Sequence, residues 1–330
     1  MATKARKYRQ AESPFCIQIE LSEGCNLRCT FCGLQGIRAE KEKNYKFMEP
    51  DTLRALLTDV VADESWNPRL EFAMHGEPTM HPDFIGMIRL TRELAPRLQI
   101  MMTSNGGGFL GKPGPLAKVQ ALFDAGLNIL ALDDYQGVGV VPKIKDATWG
   151  KLPGVKQFLY PQEPDGNPHK RRKISSKIMS IVADIESTAK GNHSVITNHA
   201  GSGGPPLAAP LVERCAKPFR EMGVRWDGNV AMCCNDWRGQ HKCGNVKETP
   251  TTEMWQNDAF GAAREMLYAG NRDFGPCKGC DFHSYRNGFL PDKFGKEELH
   301  APDKKTKADI AAALAGPSYT EPRLRPWETK

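Results

Sequence analysis

Residues 24–33 read GCNLRCTFCG and place three cysteines, Cys25, Cys29 and Cys32, within eight positions. A four-iron cluster is normally held by four cysteine thiolates. The next cysteine along the chain is Cys215, so this triplet would hold three irons of a cluster and leave the fourth iron open. We expect a small molecule that chelates metal to complete the coordination of that iron.

The spacing C-x3-C-x2-C, with Phe31 before the last cysteine and Gly33 after it, resembles the cluster loop of the radical S-adenosylmethionine (radical SAM) superfamily. In that family SAM chelates the open iron, and the reduced cluster cleaves SAM to a 5′-deoxyadenosyl radical that abstracts hydrogen from a substrate. The resemblance implies two cofactors, SAM and a SAM-binding 4Fe-4S cluster, and an electron donor such as flavodoxin or ferredoxin. A zinc site, which requires four Cys or His ligands, is the alternative interpretation.

Strands and helices alternate after the cysteine loop. Apolar runs predict strands over residues 15–21, 69–74, 98–107, 128–135, 155–161 and 178–185. Helical spacing of apolar residues predicts helices over residues 49–61, 84–94 and 115–126. Repeated strand–helix units with right-handed connections predict the α/β class, as a partial (β/α)6 TIM-like barrel. The chemistry is then expected at the carboxyl ends of the strands.

The tetrapeptide His75-Gly76-Glu77-Pro78 follows the second predicted strand. It resembles the Gly-Gly-Glu-Pro element of radical SAM proteins, which receives the methionyl ammonium group of SAM. Because His75 replaces the first glycine, the resemblance assigns the SAM contacts to Gly76 and Glu77. A glycine lets the backbone approach a ligand closely, and a carboxylate accepts hydrogen bonds from a cationic amine.

Three further positions are assigned to SAM by the same resemblance. Ser104 and Asn105 end the third strand of the predicted barrel, and Asp133 ends the fourth in a place where many relatives carry Ser-Leu-Asp. Here Ala131 replaces that serine, so one hydroxyl contact to the ribose is missing. Phe31 can pack near the adenine, although a position in the apolar core suits it equally.

A second group of cysteines lies between positions 215 and 280. Its members are Cys215, Cys233, Cys234, Cys243, Cys277 and Cys280. A hairpin turn at Asp227-Gly228 would bring the Cys233-Cys234 pair near the C-x2-C motif. The layout resembles the twitch domain and the N-terminal part of the SPASM domain, which are appended to radical SAM cores.

This second resemblance implies that Cys215, Cys233, Cys277 and Cys280 ligate an auxiliary 4Fe-4S cluster. Cys234 remains an alternative to Cys233, because adjacent strand residues face opposite sides. A zinc ribbon built from Cys233 or Cys234, Cys243, Cys277 and Cys280 is the competing interpretation. Cys16 and Cys243 are interpreted as buried free thiols.

The composition suits a protein of a reducing compartment. The chain has 330 residues, ten cysteines and a net charge of +6 from 45 basic and 39 acidic side chains. No apolar run approaches the ~20 residues of a membrane span, and the basic N-terminus lacks the apolar region of a signal peptide. We therefore expect a cytoplasmic protein with no membrane association, whose clustered cysteines bind metal.

Five segments are predicted along the chain. A basic tail (1–13) precedes the radical SAM core (14–200), and a Gly/Pro-rich linker (201–212) leads into the auxiliary-cluster domain (213–300), formed by a β-hairpin and helices. A C-terminal helix and tail (301–330) follow.

A cluster with four cysteine ligands has no open iron, so its predicted role is to accept an electron from a substrate radical. The function favoured is therefore oxidation or dehydrogenation of a small molecule or a peptide. The basic stretch 170–177 supports an alternative, modification of a nucleotide or a nucleic acid, and a zinc-binding module without catalysis is a third hypothesis. The candidates for a general base are His199, Tyr135 and Arg225, of which histidine has the most suitable ordinary pKa.

Cys29→Ala is expected to abolish 5′-deoxyadenosine formation in anaerobically reconstituted protein, because the loop then lacks one of its three ligands. Part of the iron–sulfur absorbance should persist, since the auxiliary cysteines are intact. Chromatographic measurement of 5′-deoxyadenosine checks the prediction, with Cys16→Ala as the matched control. SAM cleavage at the normal rate in Cys29→Ala would refute the assignment of the cluster loop.

Overall fold

The fold is organised around a mostly parallel sheet, to which nine strands contribute among the residues described. The computed structural model describes residues 13–29, 31–36, 45–135, 139–182 and 197–283. The strands are β1 (Cys16–Ile19), β2 (Ser22–Glu23), β3 (Lys46–Phe47), β4 (Arg69–Phe72), β5 (Ile100–Ser104), β6 (Ile129–Asp133), β7 (Lys156–Tyr160), β8 (Ile178–Val182), β9 (Glu221–Val224), β10 (Asn229–Ala231) and β11 (Lys242–Asn245). The α-helices are α1 (Pro50–Ala62), α2 (Phe84–Leu94), α3 (Pro115–Asp124), α4 (Val140–Thr148), α5 (Lys217–Arg220), α6 (Thr251–Trp255) and α7 (Asp258–Tyr268).

The order of strands in the sheet is β11-β10-β9-β1-β4-β5-β6-β8-β7, and β2 pairs separately with β3. The pairs from β9 to β7 are parallel, whereas β10 runs antiparallel to β9 and β11. The predicted α/β class is confirmed. The hairpin expected at Asp227-Gly228 is formed by β9 and β10, and β9 pairs directly with β1.

Local sequence explains where the covering helices begin. Pro50 stands in the first turn of α1, where its missing N–H group has no partner to lose. The Asp83 carboxylate accepts a hydrogen bond from the Gly86 N–H at 3.0 Å and caps α2. Helix α2 spans the residues predicted from its apolar spacing, and it buries Phe84 and Ile88 against the sheet.

The two faces of the parallel strands differ in polarity because their side chains alternate. Ile17 and Leu70 belong to the main apolar core. Their neighbours Gln18 and Glu71 belong to the other face, where the Gln18 amide lies 3.5 Å from the Glu71 carboxylate. Since the strands are parallel, the loops that follow them gather at one end of the sheet, which is where α/β barrels place their functional residues.

The fifth and sixth predicted strands are present, but they are exchanged in space. Strand β8 lies between β6 and β7, so β7 forms the edge of the sheet. Strand β8 is almost wholly buried, whereas β7 begins at exposed Lys156 and is partly exposed throughout. The more apolar segment therefore takes the interior place, as expected for a strand covered on both faces. Residues 183–185 of the predicted sixth strand lie outside the described residues.

Helix α4 was not predicted from the sequence. It begins after Gly139 and contains Val140, Val141 and Pro142 in its first turn. β-Branched residues and proline have low helix propensity, although proline is tolerated at the start of a helix. Tertiary packing of Val141 and Ile144 in the apolar core outweighs these local preferences.

Two arginines of the basic stretch 170–177 are bound to the fold, whereas Lys170 and Lys173 are exposed. Arg171 donates hydrogen bonds to the carbonyls of Phe15 at 2.8 Å and Asn67 at 2.7 Å, just before β1 and β4 begin. Its guanidinium also lies 4.8 Å from the centre of the Phe15 ring. Arg172 donates to the Asn167 carbonyl at 3.1 Å. These contacts close the amino end of the sheet, so the stretch does not favour the nucleic-acid hypothesis.

Asn128→Ala is expected to lower the free energy of unfolding by about 2 to 4 kcal/mol, because several buried partners lose a hydrogen bond. The Asn128 amide accepts from the Ile100 N–H at 2.9 Å and donates to the Ile174 carbonyl at 2.6 Å, joining β5 to the segment before β8. Urea denaturation measures the change. Exposed Gln162→Ala is the control and should stay within about 0.5 kcal/mol of the wild type. Equal stability of both variants would contradict the prediction.

Candidate active site and auxiliary metal centre

A cavity of about 200 Å³ lies at the carboxyl ends of β4, β5 and β6, beside the cysteine loop. It brings together all three cysteines of the loop and all six residues predicted to contact SAM. These residues are Cys25, Cys29, Cys32, Phe31, Gly76, Glu77, Ser104, Asn105 and Asp133. Residues separated by more than a hundred positions in sequence therefore share one surface.

The Glu77 carboxylate organises the floor of this cavity. It accepts hydrogen bonds from the Ser104 hydroxyl at 2.6 Å, the Asn105 N–H at 2.8 Å and the Thr79 hydroxyl at 2.6 Å. Burial nevertheless raises the pKa of Glu77 above its ordinary value. A cationic ligand would offset this cost of burial, as the ammonium group of SAM would.

Asp133 is the second buried carboxyl of the cavity. Burial and the nearby Glu77 raise the pKa of Asp133 to about 7, and a hydrogen bond from Tyr135 opposes this rise. Burial also raises the pKa of Tyr135 well above its ordinary value, so its hydroxyl stays protonated and donates. Two acidic groups therefore face the space where a positively charged sulfonium nucleotide is predicted.

Backbone contacts hold the cysteine loop to the Gly76 segment. Gly24 and Gly76 form a parallel bridge, and the Glu77 N–H donates to the Gly24 carbonyl at 2.9 Å. A Cβ atom on Gly76 would lie 1.9 Å from the Ser22 carbonyl oxygen. Only glycine permits this approach.

The thiols of the loop suit an iron–sulfur cluster with one open iron. Cys25, Cys29 and Cys32 all line the cavity that also contains the predicted SAM contacts. The Cys25 sulfur accepts hydrogen bonds from the Leu27 N–H and the Asn105 amide, both at 3.3 Å. Such N–H donors stabilise thiolate ligands.

A separate buried cavity is surrounded by four cysteines of the second group, Cys215, Cys233, Cys277 and Cys280. These are the four predicted ligands of the auxiliary cluster, and four thiols are the donor set that such a cluster requires. Within the described residues, no three Cys, His, Asp or Glu side chains converge on the position of a single metal ion. The four thiols instead stand around the cavity.

The remaining cysteines lie elsewhere. Cys234 does not line the cavity, and its sulfur is 3.5 Å from the Lys217 ammonium. Cys243 is buried with its sulfur 3.8 Å from the His241 carbonyl, and Cys16 is buried at the start of β1. The geometry thus favours Cys233 over Cys234, and it does not support the zinc ribbon that includes Cys243.

The three candidate bases occupy different surroundings. Tyr135 lines the cavity beside the cysteine loop, here called the SAM-side cavity. His199 contacts Trp237 edge-on, with ring centres 5.3 Å apart, and burial lowers the pKa of its imidazole. Arg225 pairs with Glu20 and Glu23. Of these three, only Tyr135 reaches the cavity surface.

Two residues that connect the metal sites were missed as functional candidates. The His75 ring lies 3.0 Å from the Glu20 carboxylate and 2.9 Å from the Cys234 carbonyl. Trp237 lines the SAM-side cavity and packs on His75, with ring centres 4.3 Å apart. The departure of His75 from the family's Gly-Gly-Glu-Pro element was the one signal in the sequence, and no motif pointed to Trp237.

Family models match both parts of this arrangement. A model of the radical SAM superfamily matches residues 19–133, and a model of the SPASM iron–sulfur cluster-binding domain matches residues 215–281. The chain belongs to the radical SAM superfamily. The predictions of a radical SAM enzyme, of SAM and a 4Fe-4S cluster as cofactors, and of an auxiliary iron–sulfur domain are thereby confirmed. The individual ligand residues and the domain limits stay predictions.

One relative of this radical SAM enzyme aligns over most of both chains. The S-adenosyl-L-methionine-dependent 2-deoxy-scyllo-inosamine dehydrogenase of Niallia circulans is 24% identical over 269 residues, which cover 80% of this chain and 92% of the relative. The crystal structure of BtrN in complex with AdoMet and 2-DOIA has a TM-score of 0.62 and 21% identity, and covers 84% of this chain and 99% of that one. This likeness supports the fold.

Other relatives match a smaller part of the chain. The GTP 3′,8-cyclases of Streptomyces coelicolor and Klebsiella pneumoniae are 30% identical over 100 and 92 residues. These matches cover 28% of this chain and 26% and 27% of the cyclases.

Among the described residues, no helix is long and apolar enough to span a bilayer. A cytoplasmic location stays a prediction.

Gly76→Ala is expected to weaken SAM binding by at least about tenfold, because a Cβ atom would push the Gly24 segment away from the Glu77 backbone. Equilibrium dialysis with labelled SAM measures the effect on reconstituted protein. Gly111→Ala is the matched control, since a Cβ there would meet only the end of the Lys118 side chain at 3.4 Å. Unchanged SAM affinity in Gly76→Ala, with normal iron content, would contradict the proposed approach of the two segments.

Proposed function

We propose that the enzyme is a radical SAM dehydrogenase that oxidises a secondary alcohol of a small polyhydroxylated molecule, of the aminocyclitol class, to a ketone. The observation that carries the proposal is that four thiols surround one cavity of the described residues, whereas the SAM-side cavity has three. A cluster with four thiolate ligands offers no open iron to a substrate, so it is suited to accept an electron. The alignment with the 2-deoxy-scyllo-inosamine dehydrogenase over 92% of its length supports the same reaction type.

The reaction removes two electrons and two protons from the alcohol. The carbon loses a hydrogen atom, the hydroxyl loses a proton, and one further electron leaves the carbon as the C=O double bond forms. When bound, SAM and the two clusters would supply the hydrogen-abstracting 5′-deoxyadenosyl radical and the acceptor for the further electron.

The residues of the chain would bind the cofactor and handle the proton. Gly76 and Glu77 would receive the ammonium group of SAM, and Ser104 and Asn105 would fix the orientation of the Glu77 carboxylate through their hydrogen bonds. The proton of the alcohol would pass to the Asp133 carboxylate, which Tyr135 orients by its hydroxyl. Phe31 and Trp237 supply apolar walls that exclude water from the cavity.

The nucleotide hypothesis has less support. The cyclase matches cover about a quarter of those proteins, and the arginines of the basic stretch are bound to backbone carbonyls of the fold. An aminocyclitol carries hydroxyl and amine groups and no phosphate. Asp133, the carboxyl of the lining that is not assigned to the ammonium group of SAM, suits an amine-bearing substrate better than an anionic nucleotide.

Anaerobic incubation of the reconstituted enzyme with SAM, a reductant and 2-deoxy-scyllo-inosamine tests the proposal. We expect 5′-deoxyadenosine and the corresponding ketone in equal amounts, measured by liquid chromatography and mass spectrometry. Cys277→Ala should still cleave some SAM but form no ketone, because the auxiliary site then lacks one thiol. Ketone formation at the normal rate in Cys277→Ala would refute an obligatory electron-acceptor role for that site. A product with no change in oxidation level, from this or any other aminocyclitol, would refute dehydrogenation.

A further inference from the structure

Two cations, one buried and one partly buried, line the four-thiol cavity. Lys217 and Arg272 both contribute to the wall formed by Cys215, Cys233, Cys277 and Cys280. Only 15% of the Lys217 side chain and 2% of Arg272 are exposed. Burying a charge is costly unless an opposite charge faces it. Each cation is paired with a carboxylate outside the lining, and both place positive charge next to the four thiols.

Lys217 is fixed by three contacts. Its ammonium lies 2.5 Å from the Glu221 carboxylate, 3.5 Å from the Cys234 sulfur and 4.7 Å from the centre of the Phe282 ring. Glu221 and Cys234 do not line the cavity, whereas Lys217 does. The ammonium therefore lies at the edge of the four-thiol cavity, close enough for its charge to act on an anionic cluster held there.

Arg272 repeats this arrangement on the same cavity. Its guanidinium donates to the Phe282 carbonyl at 2.7 Å and to the Arg214 carbonyl at 3.2 Å. The Glu213 carboxylate pairs with it at 3.2 Å and also stays outside the wall. A second cation is thus held in the wall of the same cavity.

Hydrogen bonds to the sulfurs act in the same direction. The Asn235 N–H donates to the Cys233 sulfur at 3.2 Å, and the Phe282 N–H donates to the Cys280 sulfur at 3.5 Å. Positive charge and N–H donors near the sulfurs stabilise the more negative, reduced state of an iron–sulfur cluster. The Coulomb contribution is large where water is excluded.

The SAM-side cavity has the opposite polarity. Its lining contains the two carboxyls Glu77 and Asp133, and the imidazole of His75, which lies 3.0 Å from the Glu20 carboxylate. Negative charge disfavours reduction of a cluster held there. The two metal sites of this chain therefore differ in electrostatic environment, acidic at the SAM side and basic at the auxiliary side.

We propose that Lys217, together with Arg272, raises the reduction potential of the auxiliary cluster and so makes it the site that receives the electron of the substrate. Lys217 is a positioning residue in this respect, because it acts on the cluster through its charge and does not touch the substrate. The direction of electron flow rests on the proposed function, whereas the effect of the charge on the potential does not.

Anaerobic redox titration of the reconstituted full-length enzyme, followed by electron paramagnetic resonance without substrate, tests the proposal. The triple variant Cys25→Ala, Cys29→Ala, Cys32→Ala identifies the signal of the auxiliary cluster. For Lys217→Met we expect the equilibrium constant for reduction of that cluster to fall roughly tenfold, which is about 59 mV for one electron. Lys217→Arg keeps the charge and should restore the wild-type potential.

Lys278→Met is the matched control. Lys278 directly follows Cys277 in sequence, but 70% of its side chain is exposed, so water screens its charge and the potential should not change. Burial raises the pKa of Glu221 to about 8, so at pH 9, where the carboxyl is ionised, Glu221→Gln should move the potential upward because it removes the negative end of the ion pair. If Lys217→Met fails to retain iron, Glu221→Gln still tests whether charge at this position changes the reduction potential.

An unchanged potential in Lys217→Met with normal iron content would overturn the proposal, as would an equal shift in Lys278→Met or no upward shift in Glu221→Gln at that pH. These outcomes are separate from the fate of the proposed function. Potentials that follow the expected pattern, in an enzyme that forms no ketone from any aminocyclitol, would leave the charge effect standing and refute only the assigned reaction.

Discussion

The backbone contact between Gly24 and Gly76 is the constraint on which the site depends. It joins the cysteine loop after β1 to the turn after β4, two segments far apart in sequence but adjacent because β1 and β4 pair in parallel. The contact carries the Glu77 carboxylate to a fixed place beside the thiols. The cysteine thiols and the residues predicted to contact SAM can then reach the same bound molecule. The sheet, rather than a flexible loop, sets the distance between these two groups of residues.

The auxiliary site is tied to the same frame. Strand β9 extends the sheet by pairing with β1, and Cys233 follows the hairpin strand β10. His75 adds a side-chain link, since it bonds to the Cys234 carbonyl from a position next to Gly76. A continuous sheet and one buried histidine thus fix the separation of the two cavities.

The sequence predicted the elements of the fold well where local pattern and tertiary role agree. The strand that delivers the cysteine loop, helix α2 and the hairpin at Asp227-Gly228 have clear periodicity or turn chemistry, and all three are found. The order of β7 and β8 was not predictable, because pairing partners depend on comparative burial across the whole sheet. Helix α4 was missed because packing overrides the weak propensity of its valines and proline.

The residues of the site also divide into those that the sequence predicted and those that it did not. The spaced cysteines and the Gly76-Glu77 element have a chemical signature that can be recognised in the sequence. The structure places these predicted residues in the linings of the two cavities. Lys217, Arg272 and Trp237 carry no spacing signal, since their importance arises from burial next to groups distant in sequence. A lysine or an arginine in a printed sequence is indistinguishable from one on the surface until the fold places it.

Iron and sulfide analysis, combined with electron paramagnetic resonance of oxygen-free protein, tests most directly whether the chain holds two four-iron clusters and binds SAM at one of them. Two four-iron clusters per chain, one of them altered by SAM, require roughly eight irons and eight sulfides, with a change in only one of two signals when SAM is added. We expect this result. A preparation with zinc in place of iron, or with iron signals that SAM leaves unchanged, would contradict it.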